Sequence, residues 1–377
     1  MTTRTYVDVH ILQTVPPSNL NRDDAGSPKQ AVYGGARRAR VSSQAWKRAT
    51  RMAFGDEPKA KRTKRIATML AERLERRTGL ERDQSMRIAT HVLGPLNIKA
   101  GKKEAETAYL LFFGLAQLDR LVDLVADRAH ELAAMDDDAL KTAVADLPVR
   151  DILGAGHPID VALFGRMVAD IPGLNVDAAT QVAHALSTHA VEIEFDYYTA
   201  VDDEKDRKEG DDTGAGMIGT VEFNSATLYR FATVGLHQLR DNLDGDTGAT
   251  LDALATFLDA FARSMPKGHG NTFAHRTLPG LVSVVVRDDQ PVNLVSAFEE
   301  PVRSGNGVAA ASERRLVEEM RRVNELWGMT PLRVASTYTP PGDPDGAAAA
   351  SQILGAPMPF AQLTSAVIDT ARQRLAT

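Results

Sequence analysis

Alternating polarity marks the strands of this chain, and the first example lies at its beginning. In residues 4–13, alternate positions from Thr5 to Leu12 fall on opposite faces of an extended chain. The pattern returns in VEIEFDYYTAV (191–201) and TVEFNSATLYRFATV (220–234), which we expect to pair as antiparallel strands. LVSVVVR, at 281–287, predicts a strongly apolar strand.

Helical periodicity fills most of the chain between these strands. Residues 58–190 predict an almost entirely helical block, which includes DAATQVAHALSTHA at 177–190. Glycine and proline interrupt this block at Gly94-Pro95, Pro148 and Pro172-Gly173. Four further helices are predicted, and TPPGDPDGAAAA (339–350) predicts a flexible surface linker. The four helices are expected at 249–265, 294–303, 309–328 and 359–374.

Without the helical block, the elements follow the order strand, helix, strand, strand, helix, strand. This is the ferredoxin-like, or RRM-like, arrangement. We therefore predict an α+β protein with an RRM-like, antiparallel-sheet domain formed by residues 1–57 and 190–377. A second, helical domain, residues 58–189, is expected to be inserted between the first helix and the second strand.

The first predicted helix follows a strongly basic segment. No acidic residue occurs between Asp24 and Asp56, and the segment reads AVYGGARRARVSSQAWKRATR. With Ser43 as the helix cap, four polar side chains share one helix face, namely Gln44, Lys47, Arg48 and Arg51. Backbone amides at a helix start beside arginines suit phosphates. The segment therefore favours a nucleic-acid backbone as ligand.

Overall composition changes this interpretation in two ways. The net charge of −6 argues against a generic nucleic-acid binder, but residues 1–110 hold 22 Lys and Arg against 11 Asp and Glu. This uneven distribution of charge suits an anionic ligand at the basic end of the chain. It equally suits head-to-tail packing between copies of the chain. The absence of cysteine excludes disulfides, thiol nucleophiles and cysteine-ligated zinc, and it predicts a cytoplasmic chain.

Two loops are candidates for function. Residues 202–219 form a polar, glycine-rich insertion between the two central strands. Tyr197 and Tyr198 lie at its base, where their rings could stack on unpaired bases or belong to the hydrophobic core. The loop PKGHGNTFAHR (266–276) supplies Lys267, His269 and Asn271 as candidate phosphate contacts. We identify no catalytic constellation and no metal site, because the histidines are scattered and no HExxH motif occurs. No cofactor is predicted.

Several motifs resemble one protein family over almost the whole chain. They include LNRDDAGSPKQAVYGGARRARVSSQAWKRATR (20–51), DVALFGRM (160–167), AHALSTH (183–189), DYYTAVDD (196–203) and GTVEFNSATLYRFATV (219–234). In these segments the chain resembles the CasC-type backbone subunits of type I-E CRISPR Cascade surveillance complexes, which belong to an RRM-like superfamily. Residues 56–150 and the C-terminal tail match least.

The resemblance implies a right-hand shape, with an RRM-like palm, helical fingers and a thumb loop at about 197–220. In the resembled complex, six copies assemble along one guide RNA and hold its backbone, while its bases pair with target DNA. The implied partners are therefore guide RNA, target DNA, other copies of the chain and further complex subunits, without a membrane. The implied function is a non-catalytic RNA scaffold in antiviral defence.

The resemblance also assigns candidate residues. The implied RNA contacts are Arg22, Arg38, Arg40, Ser42, Gln44, Lys47, Arg48, Arg51, Arg166, Met167, Tyr198 and Thr199. Five cations at the start of the fingers are weaker candidates for nonspecific DNA contact, namely Lys59, Lys61, Arg62, Lys64 and Arg65. The chain departs from the family pattern in its acidic thumb, where EKDRKEGDD precedes Gly214, and in Ala36, where relatives can carry a basic residue.

Two other functions stay open on the sequence alone. RRM-like CRISPR proteins include guide-RNA-processing endoribonucleases, and His269 and His275 are the candidate bases for such chemistry. Alternatively, the basic end stacks against the acidic half of the next copy in an assembly protein that needs no RNA.

Overall fold

A computed structural model describes residues 4–55, 59–98, 101, 106–168, 170–200, 217–303, 305 and 307–376. By compactness the chain divides into two units. Unit 1 comprises Met1–Arg4, Phe54–Gln181 and Val234–Leu254, and unit 2 comprises Thr5–Ala53, Val182–Thr233 and Ala255–Thr377. The predicted boundaries of an inserted domain, 58–189, stay a prediction.

Eleven strands occur in the described residues. They are β1 (Tyr6–Ser18), β2 (Gln30–Tyr33), β3 (Ala36–Val41), β4 (Lys61–Thr63), β5 (Leu111–Phe113), β6 (Thr180–Val182), β7 (Ala185–Ser187), β8 (Glu194–Ala200), β9 (Met217–Gly235), β10 (Leu281–Arg287) and β11 (Arg333–Tyr338).

The same residues contain fourteen α-helices. They are α1 (Ser43–Met52), α2 (Ile66–Thr78), α3 (Arg82–Val92), α4 (Leu115–Asp123), α5 (Ala129–Ala134), α6 (Asp137–Val144), α7 (Val149–Gly154), α8 (Ile159–Phe164), α9 (Leu236–Asn242), α10 (Thr247–Arg263), α11 (Gly270–Phe273), α12 (Ala309–Trp327), α13 (Pro344–Leu354) and α14 (Phe360–Leu375). Short 3₁₀ segments lie at Gly94–Leu96, Ala126–Arg128, Pro172–Leu174 and Leu294–Phe298. No helix in this part of the chain is both long and apolar enough to cross a membrane.

The main sheet confirms the predicted ferredoxin-like arrangement. Its strand order is β11-β10-β1-β9-β7-β3-β2. In terms of that motif, β1 is the first strand, β7 the second, β9 the third and β10 the fourth. β1 pairs antiparallel with β10. β8 pairs antiparallel with β9, as predicted for the two central strands, but β7 and not β8 takes the place of the second strand in the main sheet. The fold is thus α+β with an antiparallel sheet.

Both faces of this sheet are covered within unit 2. Side chains alternate along β9, so Leu228 joins a cluster with Val15, Val41 and Trp46, whereas Tyr229 joins another cluster with Leu12, Phe298 and Leu316. The first cluster packs the sheet against α1, and the second packs it against α12. The apolar face of α1 therefore packs on the sheet, and this contact fixes the position of the helix.

Unit 1 has its own core. Leucine, isoleucine and valine side chains from α2, α3 and α4 form one cluster, with Leu70, Ile88, Leu118 and Leu121 completely buried. The two-stranded sheet of β4 and β5 lies beside them. Helices thus dominate this unit, as the apolar periodicity of the sequence predicts.

Three predicted elements are wrong. DAATQVAHALSTHA forms the short strands β6 and β7 instead of a helix, because pairing with β9 and β3 overrides the helical propensity of its alanines. The predicted linker at 339–350 contains the start of α13, which Asp343 caps with Pro344 at the first helical position. The predicted helix at 294–303 is only a 3₁₀ segment, Leu294–Phe298.

Candidate nucleic-acid interface

Helix α1 begins one residue earlier than predicted, because Ser42 and not Ser43 is its cap. The Ser42 hydroxyl accepts a hydrogen bond from the backbone N–H of Ala45 at 3.3 Å. The backbone N–H of Ser42 itself donates to Asn21 Oδ1 at 2.9 Å. Ser42 is only 6% exposed, so its side chain positions the helix start and offers little surface to a ligand.

The polar face of α1 lies opposite its buried face. Trp46 and Thr50 point into the core, one helical turn apart, whereas Gln44 and Arg48 are exposed. Lys47 and Arg51 are half-buried between the two faces, and burial lowers the pKa of Lys47. No acidic side chain lies in the first turn of α1. The four predicted side chains therefore form a basic surface along one side of this helix.

Strands β2 and β3 form a hairpin that carries two of the predicted arginines. Gly34 and Gly35 make its two-residue turn with φ of +58° and +72°, the left-handed conformation that a tight primed turn requires. A side chain at Gly34 would also overlap the backbone carbonyl of Glu299. The hairpin thus depends on glycine at position 34.

Arg38 lies inside the protein, and its predicted role as an RNA contact stays a prediction. Its guanidinium is 0% exposed. It donates to the carbonyl oxygens of Tyr33, Ser187, Phe298 and Glu299 at 2.9–3.2 Å. Four carbonyl partners satisfy the buried cation. Arg38 therefore joins the hairpin to the 298–299 segment and acts as a structural residue.

Arg40, two residues further on, remains accessible. Its Nε donates to the carbonyl of Gln30 at 3.1 Å, and its Nη1 lies 3.1 Å from His184 Nδ1. Burial and the charges of Arg40 and Lys29 lower the pKa of His184. The sequence did not predict the contact between Arg40 and His184, because the AHALSTH segment was predicted to be helical and its pairing with β3 has no local signal.

The loop 266–276 lies against the Asn19–Arg22 segment, so that the predicted contacts on the loop and Arg22 belong to one surface. His269 Nε2 lies 3.3 Å from Arg22 Nη1, and both residues keep solvent contact. A Cβ at Gly268 would overlap the backbone carbonyls of Asn19 and Leu20, so glycine permits this close approach. Lys267 and Asn271 are exposed beside it. The structure thus brings Arg22, Lys267, His269 and Asn271 to one loop surface.

His275, the second candidate base, is buried. It is 2% exposed, and its Nε2 bonds to the carbonyl oxygen of Pro266 at 3.2 Å. A general base needs contact with a bound hydroxyl. Its position therefore does not favour nuclease chemistry at this residue.

In unit 1, Arg166 and Met167 are neighbours with opposite environments. Arg166 is 6% exposed and donates to the carbonyls of Leu174, Phe112 and Leu153, and burial lowers its pKa to about 10. Those carbonyls occupy its donors, and its predicted RNA contact stays a prediction. Met167, which by the family resemblance would wedge at a base step of the RNA, is 86% exposed. Its predicted contact stays a prediction.

The base of the predicted thumb is the hairpin of β8 and β9. Tyr198 pairs with Gly219 and Thr199 with Ile218 across it. Phe195 and Tyr197 are 67% and 62% exposed, and Tyr198 is 40% exposed. Residues 201–216, which contain most of the thumb and its acidic insertion, lie outside the described residues. The described base thus presents aromatic side chains to solvent.

The five candidate DNA-binding cations lie around β4 in unit 1. Lys61 and Arg62 are exposed, and the Arg62 guanidinium lies 4.9 Å from the centre of the Phe112 ring. Arg65 pairs with Glu106 at 3.5 Å, and Lys59 donates to the carbonyl of Gly55 at 2.7 Å. Lys64 is half-buried. Lys61 and Arg62 are thus the members of this group most open to a ligand.

No cluster of three metal-ligating side chains occurs within the described residues. The acidic pairs Asp202-Asp203 and Asp211-Asp212 lie outside them. The donors that converge in unit 2 are instead cationic and amide groups, which suit an anionic ligand.

The sequence profile of the CT1975-like protein family matches residues 7–363 of the chain. The chain belongs to this family. Two solved structures are similar to it over nearly their full lengths. One chain, from a structure described as "CRISPR RNA-guided surveillance complex, pre-nicking", is 33% identical with a TM-score of 0.80, and the match covers 97% of this chain and 100% of that one.

A second chain, from a "CRISPR RNA-guided surveillance complex", is 31% identical with a TM-score of 0.73. That match covers 97% of the CT1975-like chain and 99% of the other. No curated protein sequence matches. The predicted resemblance to backbone subunits of CRISPR surveillance complexes is therefore confirmed, as is the mixed fold, and the assignment to type I-E stays a prediction.

Proposed function

We propose that this CT1975-like protein is a non-catalytic scaffold of a type I-E CRISPR surveillance complex. Several copies bind along one guide RNA, hold its backbone and leave its bases to pair with target DNA. Other subunits of the complex bind the ends of this assembly and carry out cleavage. Base pairing then reads the sequence, and the protein contacts backbone and shape.

The observation that carries the proposal is the basic surface of unit 2. Gln44 and Arg48 on α1 are exposed, and Arg22, Arg40 and Lys267 keep solvent contact on neighbouring segments. Residues 25–55 contain no carboxylate that would neutralise this surface. Cationic groups without base-specific geometry suit a phosphodiester backbone of any sequence. The likeness to chains of RNA-guided surveillance complexes supports guide RNA as that ligand.

The salt dependence of RNA binding tests the proposal. Arg38 and Arg166 are left out of the count of phosphate contacts because they are buried. Six cations then remain as candidates, namely Arg22, Arg40, Lys47, Arg48, Arg51 and Lys267. For a single strand, log K should then fall against log salt with a slope of about −4 per subunit. Arg48→Ala should reduce this slope and weaken binding equally for RNAs of different sequence.

Arg372→Ala is the matched control, because Arg372 is a surface arginine of α14 that pairs with Asp369 at 2.8 Å. It should leave the slope unchanged. A wild-type slope near zero, or strong preference of Arg48→Ala for one sequence, would contradict the proposal. Metal-free cleavage of repeat RNA that His269→Ala abolishes would support the endoribonuclease alternative.

A further inference from the structure

A cluster of three aromatic rings joins the loop 266–276 to β9 in unit 2. The ring centre of Phe273 lies 5.8 Å from that of Phe223 on β9 and 6.2 Å from that of His269. The angles between the ring planes are 48° and 72°, which are the tilted and edge-on arrangements that aromatic pairs prefer. All three residues are half-buried, so the cluster is not closed into the hydrophobic core.

The backbone on both sides of this cluster adopts an uncommon conformation. His269 and Ala274 flank α11, and their φ angles are +46° and +45°. Residues that carry a side chain seldom adopt this left-handed region, and those that do concentrate at functional sites. In this conformation of the loop, Phe273 meets Phe223 on a strand that is distant in the sequence. The loop thus bears a cost in free energy while it presents its aromatic side chains.

The hairpin of β8 and β9 continues the cluster along one of its faces. In an antiparallel pair, opposite residues point to the same side, and positions two apart on one strand share a face. Phe223, Val221 and Gly219 therefore share a face with their partners Glu194, Asp196 and Tyr198. A Cβ at Gly219 would overlap the Tyr198 ring, so this ring lies over the neighbouring strand. The face thus carries aromatic side chains at both ends and an apolar side chain between them.

The charges on this face suit bases better than phosphates. Glu194 and Asp196 are exposed on its β8 side. Carboxylates repel phosphates, but they accept hydrogen bonds from the amino groups of bases. The cation of the cluster lies at the opposite end, where Arg22 Nη1 is 3.3 Å from His269 Nε2. A phosphate is therefore favoured at the Arg22 end, and bases are favoured along the rings.

Arg22 connects this aromatic face to the basic surface of unit 2. It is exposed, and it is one of the six candidate phosphate contacts, as is Lys267 in the adjoining loop. An RNA strand with a phosphate at Arg22 can place the attached base on the neighbouring rings of His269 and Phe273. This continuity with the basic surface favours RNA as the occupant of the aromatic face.

We propose that Phe223, Phe273 and His269 form a stacking site for a base of the guide RNA, which the face of β8 and β9 extends towards Tyr198. This inference rests on the proposed function, because its ligand is a base of that RNA. Every base has a π-face, so stacking on aromatic side chains tolerates any sequence. The site therefore adds a base contact without making the protein selective for one guide.

The test compares the affinity of the full-length chain for two single-stranded RNAs of equal length, one ordinary and one whose riboses carry no bases. Wild-type protein should bind the ordinary RNA more tightly. Phe273→Leu keeps an apolar side chain but removes the ring, and it should weaken binding of the ordinary RNA about tenfold. It should leave binding of the base-free RNA unchanged. The salt dependence of binding should also stay unchanged, because no phosphate contact is lost.

Phe360→Leu is the matched control, because Phe360 is also a half-buried phenylalanine of unit 2. It lies on α14, where the Arg263 guanidinium is 5.5 Å from its ring centre, and its substitution should leave the binding of both RNAs as in wild type. Phe273→Trp retains a ring and should retain the preference for the ordinary RNA. Thermal unfolding of each variant is measured alongside. If Phe273→Leu does not fold, Phe223→Leu removes the neighbouring ring and should show the same loss.

Crosslinking tests the wild-type chain without a substitution. Irradiation of the chain with RNA that contains thiouridine should label residues 268–276, the peptide that trypsin releases after Lys267 and Arg276. Absence of label from this peptide, or equal affinity of wild-type protein for the two RNAs, would overturn the stacking site alone. Unchanged binding in Phe273→Leu, or equal weakening with both RNAs, would do the same. Failure of the wild-type chain to bind either RNA would overturn the proposed function as well.

Discussion

The guanidinium carbon of Arg230 lies 3.8 Å from the centre of the Trp46 ring, and both side chains are 1% exposed. Arg230 also donates to Gln13 Oε1 at 2.6 Å and to the carbonyl of Phe261. Burial lowers its pKa to about 9, which still leaves the cation protonated at neutral pH. Since Trp46 lies on α1 and Arg230 on β9, this contact fixes the basic helix to the sheet.

Trp46→Ala should therefore lower the free energy of unfolding by about 3–5 kcal/mol, the usual cost of removing a buried large aromatic side chain. Arg230→Met should also destabilise, because it leaves Gln13 and Phe261 without their donor. In the double variant the two losses should differ from additivity by more than about 0.5 kcal/mol. Urea unfolding measures all three, with the exposed Arg48→Ala as a control that stays within about 0.5 kcal/mol of wild type. Additive losses would show that the stacking contact contributes nothing.

The β2–β3 turn makes a second prediction. Gly34→Ala should destabilise the protein strongly, because the new Cβ overlaps the carbonyl of Glu299 in addition to the cost of its positive φ. Gly35→Ala pays only the left-handed backbone cost of about 1–2 kcal/mol, since nothing lies within 4 Å of its Cβ position. Thermal unfolding of both variants compares the two. Equal losses would contradict the close approach of Gly34 to Glu299.

Arg166 and Met167 make a third prediction through their contrast. Arg166→Ala removes the donor of three buried carbonyls and should cost about 1–3 kcal/mol of stability for each carbonyl left without a partner. Met167→Ala should change stability by less than about 0.5 kcal/mol, because its side chain is 86% exposed. If Met167 wedges against RNA, the variant should still weaken RNA binding. A stable Arg166→Ala protein with weakened RNA binding would return Arg166 to the interface.

His10 makes the stability of unit 2 depend on pH. It is 1% exposed, its Nδ1 lies 2.9 Å from the Tyr229 hydroxyl, and burial lowers its pKa from 6.5 to about 3. Between these two pKa values, His10 therefore binds a proton in the unfolded chain and does not bind one in the folded chain. Stability should fall as pH drops from about 6.5 towards 3, by at most about 1.4 kcal/mol per pH unit.

Asp8 opposes this dependence over part of the range. Burial raises its pKa to about 6, so its contribution favours the folded state at low pH and is lost as pH rises through about 6. His10→Gln should thus remove the acid destabilisation, whereas Asp8→Asn should steepen it. Urea unfolding between about pH 4 and pH 7 separates the two. If the stability of His10→Gln still falls at low pH as it does in wild type, a group other than His10 causes the acid destabilisation.

How far the sequence predicts this structure depends on the length of each element. β1 and β9 are long enough for alternation to be recognised, β10 is a continuous apolar run, and α12 and α14 are long enough for helical periodicity. β6 and β7 contain three residues each, and their pairing with distant strands leaves no local pattern. The start of α13 carries an Asp-Pro signal that the surrounding proline and glycine obscured.

The candidate site shows the same limit. The polar face of α1 follows directly from residue spacing, and Gln44 and Arg48 are exposed as predicted. Charge alone could not separate Arg38 from Arg40, because both lie on β3 at alternate positions. Arg38 is buried only because residues 298 and 299, which are distant in the sequence, supply carbonyl partners. The link between Arg40 and His184 likewise depends on the pairing of β3 with β7.

The most direct test of the scaffold is to express the chain with CRISPR guide RNAs of two spacer lengths and measure the particle mass and RNA content. The proposed function predicts that mass rises in steps of one subunit as the spacer is lengthened, with the RNA protected and intact. RNA that is cut at its repeats, or assemblies of the same size without RNA, would contradict it.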